Sequence, residues 1–164
     1  MKKLSDEEFH EILHIEDELG SVIRAHLHIE NLLDQLLAKQ FPVVGRLKEL
    51  ELTYKEKVVL SLAMGLNEEF KSVLMGVGEI RNKFAHRPDF EITKQDTNNL
   101  YKAFPAEEKK LIDSTIRSVN KDTGNNVPFN AMSPREKFII MVIVLRQIMF
   151  VAVQSWPECI TSIS

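Results

Sequence analysis

The fold is decided by the stretch Glu79-Ile80-Arg81-Asn82-Lys83-Phe84-Ala85-His86-Arg87, which closes a predicted helix. That helix opens at Asn67, a good N-cap residue that is followed by two glutamates in the first turn. Its apolar residues recur at the spacing of one buried helical face: Phe70, Val73, Leu74, Val77, Ile80 and Phe84. We therefore predict a core helix that ends near His86, because Pro88 disfavours further helix.

Arg81 is the residue of this helix that most needs an explanation. At about 100° per residue it falls in the middle of the apolar face, where an unpaired charge is very costly. One interpretation is structural: a carboxylate such as Glu30 holds Arg81, and His86 caps the helix C-terminus, where a cation is favoured. The other interpretation is chemical, because an always-charged arginine and a titratable histidine then meet at a helix end.

The pattern Arg81-Asn82-x3-His86 at the end of an apolar helix resembles the Arg-x4–6-His motif of HEPN domains, which are small all-helical domains of many prokaryotic RNases, toxins and phage-defence proteins. The stretch from Tyr54 to His86 is also similar to the mannitol operon repressor family, which shares the helical framework. The resemblance covers roughly residues 21–104. It implies an all-α, antiparallel, HEPN-like helical bundle, a homodimer with a composite site, and Arg81, Asn82 and His86 as the catalytic residues.

These residue types suit RNA cleavage without a metal or a cofactor, because the 2′-hydroxyl attacks its own phosphorus. An imidazole titrates at about pH 6.5, so His86 can move that proton at neutral pH. Arg81 or Arg87 can hold the phosphate oxygens, and Asn82 lies one turn before His86 and can orient it. Lys83 and Arg87 are predicted to bind RNA. One chain supplies one such histidine, so acid and base together need two copies.

The alternative function is a non-catalytic regulatory or protein-interaction module like the mannitol repressor family, with Arg81 in a structural role. The net charge of −3 favours this alternative, as does Pro88, which stands where many HEPN toxins carry tyrosine. Residues 1–42 hold 4 basic against 9 acidic residues, and the remainder holds 17 against 15. Because no broad basic face results, we expect no non-specific binding to duplex DNA.

Length and composition predict one soluble domain spanning residues 1–164, with 44% hydrophobic and 27% charged residues. The single Cys159 and the acidic residues that follow Met1 predict a cytoplasmic protein. The partners predicted are a second copy of the chain, RNA, and a cognate antitoxin or regulatory protein, with no membrane.

The N-terminal segment, residues 1–20, is predicted as a helix from Ser5 to Glu18 that stops at Gly20. It contains His10-Glu11-Ile12-Leu13-His14, which formally matches the His-Glu-x-x-His motif of zinc peptidases. Because His10 and His14 lie opposite the apolar side, we predict a solvated face and no metal site.

The next predicted helix runs from Ser21 to about Gln40, with His26 at the edge of its buried face and His28 pointing away. Further helices are predicted from Thr53, from Thr93, and from Ala106 to Val119. Residues 120–132 are predicted as a mobile loop, and residues 133–156 as a buried core or interface helix. The Phe138–Val153 part of that helix has more apolar surface than a small bundle easily covers. This excess also favours a dimer.

Overall fold

The computed structural model describes residues 5–41, 44–87, 89–124 and 126–157, and this part of the chain is an all-α helical bundle without strands. The predicted all-α class is confirmed. Pro88 and Cys159 lie outside the described residues, as does Asn125 in the predicted loop. The helices in chain order are α1 (Asp6–Ile15), α2 (Glu18–Gln40), α3 (Val44–Lys48), α4 (Tyr54–Ala63), α5 (Lys71–His86), α6 (Lys94–Ala103), α7 (Ala106–Thr123) and α8 (Pro134–Ser155).

Four helices begin where the sequence predicts, and each begins with a capping box. The cap side chain accepts a hydrogen bond from the backbone three residues on, and the acidic residue at that position bonds back to the cap backbone. These caps are Ser5 for α1, Thr53 for α4, Thr93 for α6 and Ser133 for α8. Asn67 also caps as predicted, although the first turn after it, Glu68–Phe70, is a 3-10 helix.

The boundary between α1 and α2 differs from the prediction. The first helix ends at Ile15, and Gly20 lies in the first turn of α2 instead of stopping α1. The reason is Asp17, whose carboxylate accepts from the Gly20 backbone N–H at 2.6 Å and so caps α2. The Ser21 hydroxyl then donates to the Leu13 carbonyl at 2.7 Å, which joins the two helices.

The start of the predicted 120–132 loop is also helical. Helix α7 continues to Thr123 and ends only at Gly124, whose φ of +67° is the left-handed conformation that glycine adopts without strain. A second 3-10 turn, Phe129–Ala131, precedes α8. The turn-forming residues between these two elements therefore make a shorter connection than the sequence suggested.

Helices α2 and α8 form the centre of the bundle. They pack along each other, while α1, α6 and α7 pack against α8, and α4 and α5 pack against α2. Every residue of α8 from Phe138 to Arg146 is buried, and the Arg146 guanidinium lies 4.8 Å from the ring centre of Phe9 on α1. Burial of each large apolar side chain contributes about 1.5–3 kcal/mol, so this pair dominates the core.

The expectation that α8 leaves a broad apolar surface for a second copy is wrong. Four other helices, α1, α2, α6 and α7, cover much of it, and the large apolar residue of α8 that remains strongly exposed is Val151, at 63%. By length and composition α8 is also the one described helix that could cross a membrane, and 61% of its most apolar window is buried inside the bundle. After its end, Trp156 packs against the core, and its buried indole N–H has no hydrogen-bond partner within the described ranges of the chain.

Candidate functional site

Arg81 is only partly buried, although its position in the helical periodicity falls within the face that α5 packs against the bundle. The residues that α5 buries against the bundle include Val73, Val77 and Ile80. The expectation that Arg81 points into the core is wrong because α2 and the start of α4 do not close over it. They leave a gap beside the guanidinium, and the side chain borders that gap.

The partner of Arg81 is Asn82, and no carboxylate among the described residues holds it. The Arg81 Nη1 donates to Asn82 Oδ1 at 3.1 Å. Glu30, the carboxylate expected to pair with Arg81, instead accepts from Lys57 Nζ at 2.9 Å, and Lys57 also bonds Asp34 at 3.0 Å. A guanidinium carries several N–H donors, so most of those of Arg81 remain available to a ligand.

The gap beside Arg81 is a half-open cleft of about 670 Å³ between α2, the N-terminus of α4 and α5. Its walls combine cationic, acidic and neutral polar side chains, and apolar atoms make up the larger part of the cleft surface. The lining residues are His26, Glu30, Thr53, Tyr54, Lys55, Met75, Gly78, Glu79, Arg81 and Asn82. Because Lys57 pairs with Glu30, one of the two acidic side chains in the cleft is already compensated. Burial acts to lower the pKa of Lys57, but its hydrogen bonds to Glu30 and Asp34 outweigh this and raise it.

Tyr54 forms a rigid wall of the cleft. Its hydroxyl donates to the Leu74 carbonyl of α5 at 2.9 Å, and burial raises the pKa of that hydroxyl. The ring lies directly over Gly78, since a Cβ added there would come within 2.9 Å of Tyr54 Cε1. The absence of a side chain at Gly78 is therefore what lets α4 approach α5 this closely.

His26 stands against the other side of the Tyr54 ring. The two ring centres are 4.3 Å apart, and the imidazole is only 7% exposed. Its Nδ1 lies 3.9 Å from Glu30 Oε2, beyond hydrogen-bond distance. Burial lowers the pKa of His26, and Arg81 and Lys57 lower it further, although Glu30 opposes them.

Comparisons of the chain with models of protein families, with curated proteins and with solved structures found no match. The resemblance to HEPN domains therefore stays a prediction from the motif residues of the sequence.

The other predicted site residues do not line the cleft. His86 is the last residue of α5, is exposed, and forms no hydrogen bond or ion pair within the described part of the chain. Arg87 caps the helix end and is also exposed. Of the five predicted residues, the structure thus brings only Arg81 and Asn82 together in the cleft.

Lys83 points to a different side of α5, where it pairs with the buried carboxylate of Asp96 and lies 5.7 Å from the ring centre of Phe90. Burial acts to raise the pKa of Asp96, but the hydrogen bonds from Lys83 and Thr93 outweigh this and lower it. Asp96 is also the capping-box partner of Thr93. Lys83 therefore stabilises the start of α6, and its predicted contact with RNA would compete with that pair.

Two further histidine predictions concern α1 and α2. His10 and His14 are neighbours on α1 with their Nε2 atoms 3.1 Å apart, and no group of three or more His, Cys, Asp or Glu side chains suited to a metal occurs among the described residues. His28 was predicted to point away from the core, which is wrong. Its ring packs 4.5 Å from that of Phe9 and is 7% exposed, and burial together with Arg146 and Arg24 lowers its pKa to about 4.

Sequence reasoning missed His26 and Tyr54 as parts of this site. The one pattern that could have revealed them is the spacing of His26 and Glu30, which puts both on one face of α2. Nothing in the spacing of Tyr54 indicated that its ring would separate α2 from α5.

Proposed function

We propose that the protein is an HEPN-like, RNA-associated protein and a metal-independent endoribonuclease of the toxin or defence type, with Arg81 as the phosphate-binding residue. The observation that carries the proposal is the state of Arg81, whose guanidinium faces a cleft with Asn82 as its hydrogen-bond partner and forms no ion pair with a carboxylate of the described residues. A planar guanidinium matches two phosphate oxygens at once, and a partly desolvated site strengthens that contact.

The reaction that fits these residues is transesterification within the RNA. A base removes the proton of the 2′-hydroxyl, the 2′-oxygen bonds to phosphorus, and the bond from phosphorus to the 5′-oxygen breaks. A second group returns a proton to that 5′-oxygen, and a 2′,3′-cyclic phosphate remains. Arg81 stabilises the charge that develops on the non-bridging oxygens, and Asn82 fixes the guanidinium in the required orientation.

His86 enters this site only if two copies pair. Since it lies outside the cleft of its own chain, we propose a homodimer in which the exposed helix end of one copy approaches the cleft of the other. Such pairing would bring an imidazole for proton transfer close to Arg81. A cognate antitoxin or a regulatory protein would act by occupying the same helix ends.

The decisive assay incubates the protein with mixed RNA in EDTA and examines the ends of the products. We expect cleavage that leaves 2′,3′-cyclic phosphate or 3′-phosphate, and its loss in both Arg81→Ala and His86→Ala. Arg117→Ala is the matched control, because Arg117 is an exposed arginine of α7 far from the cleft lining. If the folded wild type cleaves nothing, or cleaves as well as His86→Ala, the endoribonuclease proposal fails.

A second function is favoured by one observation, the exposure of His86 outside the cleft. As a non-catalytic, mannitol-repressor-like interaction module, the protein would use the α5 end as a contact surface and Arg81 to bind an acidic group of a partner. No RNA cleavage by a correctly folded protein, together with binding of a regulatory protein that Arg81→Ala abolishes, would support this second function.

A further inference from the structure

His26 is a buried polar side chain whose hydrogen-bonding capacity is unused within the described structure. The residue is only 7% exposed, and within the described structure neither of its ring nitrogens forms a hydrogen bond. Because His26 lines the half-open cleft, a molecule that occupies the cleft can reach its imidazole. A ligand that donates to a free ring nitrogen would complete the hydrogen bonding of this largely buried side chain.

The surroundings of His26 indicate which ring nitrogen is left for that ligand. The Glu30 carboxylate lies 3.9 Å from Nδ1 and is held in place by Lys57. A carboxylate on the Nδ1 side favours the neutral tautomer with its hydrogen on Nδ1. The Nε2 atom is then a hydrogen-bond acceptor, and the imidazole packs against the Tyr54 ring.

We propose that His26 is a specificity-determining residue of the cleft and that its Nε2 accepts a hydrogen bond from the ribose 2′-hydroxyl of a nucleotide whose phosphate is bound by Arg81. The inference rests on the proposed function, and it adds that the cleft distinguishes ribonucleotides from deoxyribonucleotides. The 2′-hydroxyl is the group that separates the two, and a buried acceptor left without its donor penalises the deoxy ligand.

The test compares the binding of uridine 3′-monophosphate with that of 2′-deoxyuridine 3′-monophosphate by titration calorimetry of the full chain. We expect the wild type to prefer the ribonucleotide by about tenfold, the effect of one hydrogen bond to a buried acceptor. His26→Leu should bind both nucleotides with similar affinity. His28→Leu is the matched control, because His28 has the same 7% exposure two residues away on α2 but lies outside the cleft lining.

The histidine ring signals of the wild type, followed by NMR, make the test independent of how well the variant folds. The signals of His26 should shift with the ribonucleotide much more than with the deoxyribonucleotide, and those of His28 should not move. If the wild type binds both nucleotides equally, or His26→Leu keeps the preference, the inference fails while the role of Arg81 stands. If the wild type binds neither nucleotide at millimolar concentration, the proposed function fails and the inference fails with it.

Discussion

The contact between Gly78 and Tyr54 shows how a single atom controls the shape of the cleft. A methyl group at Gly78 would lie 2.9 Å from Tyr54 Cε1, and that ring is anchored by its hydroxyl to Leu74. Because the ring also contacts His26, it cannot move without disturbing α2. The cleft thus depends on the absence of a side chain at this position.

We therefore expect Gly78→Ala to lower the free energy of unfolding by about 1–3 kcal/mol, the usual cost of overpacking. Urea denaturation provides the measurement. The matched control is Gly45→Ala in α3, where a Cβ would meet nothing within 4 Å and the higher helix propensity of alanine should leave stability unchanged or slightly improved. Equal effects of the two substitutions would contradict this account.

Lys83 provides a second prediction at the residue scale, because its ion pair with Asp96 gives it a structural role. Lys83→Met should lower stability by about 1–2 kcal/mol, a modest value because the lysine is 40% exposed and Thr93 still bonds Asp96. Uridine 3′-monophosphate should bind this variant as it binds the wild type. Weaker nucleotide binding with unchanged stability would instead support the RNA-binding role of Lys83 that the sequence suggested.

At the scale of elements, Arg135 connects the end of α1 to the start of α8. Its Nη2 donates to the carbonyls of Leu13 and His14 at 3.1 and 3.2 Å, and to that of Glu16. The last carbonyls of a helix have no partner within the helix, so this guanidinium satisfies groups that would otherwise need water. The central helix thereby holds the N-terminal one in place.

Arg135→Leu should detach α1 without unfolding the rest of the bundle. We expect faster amide hydrogen exchange throughout α1 and a loss of stability of about 2 kcal/mol, because several carbonyls lose a charged donor. Exchange in α5 should be unchanged. A uniform increase in exchange rate over all helices would mean that α1 is not an independent unit. The control for the loss of a positive charge is Arg117→Leu in α7.

Helix starts could be predicted from the sequence because a cap is a local interaction, made within about four residues of the chain. Ser5, Thr53, Thr93 and Ser133 all cap as their neighbours suggested. Helix ends were predicted less well, as Gly20 shows, because a glycine can end one helix or enter the first turn of the next. The position of Arg81 in a cleft was not predictable, since periodicity identifies a buried face but does not show where neighbouring helices leave a gap.

At the scale of the whole molecule, the histidines of α1 and α2 make the protein less stable as the pH falls. The pKa values of His10, His14, His26 and His28 are all lowered, mainly by burial, and that of His28 falls to about 4. Between the ordinary value of about 6.5 and these lowered values, the unfolded chain binds protons that the folded chain does not. The free energy of unfolding must therefore decrease as the pH falls through this window.

The corresponding prediction is a lower urea midpoint at about pH 5 than at about pH 7, a range above the ordinary pKa of the carboxylates. His28→Leu should show a smaller decrease than the wild type, because it removes the histidine with the largest shift. His86→Leu serves as the control, since His86 is exposed at a helix end. A urea midpoint that stays constant or rises on acidification would contradict the burial of these histidine rings.

Association remains a prediction at this scale and now depends on the composite site alone, because α8 is covered within one chain. We expect light scattering at micromolar concentration to report a dimer. Substituting Arg87→Glu at the exposed end of α5 should weaken the dimer if this end meets the other copy, whereas Lys110→Glu on the exposed part of α7 should not. A monomer under these conditions would contradict the composite site, because no second copy would then supply its His86 imidazole.

The position of Trp156 gives the protein a built-in fluorescent reporter. It is the single tryptophan of the chain, and its indole N–H is buried, with no hydrogen-bond partner among the described residues, where α8 ends against the core. A partly buried indole emits at shorter wavelength than one in water, so release of this end would shift the emission to the red. Each unfolding experiment above can therefore be followed by tryptophan fluorescence without a label, and the emission wavelength reports on the environment at the end of α8.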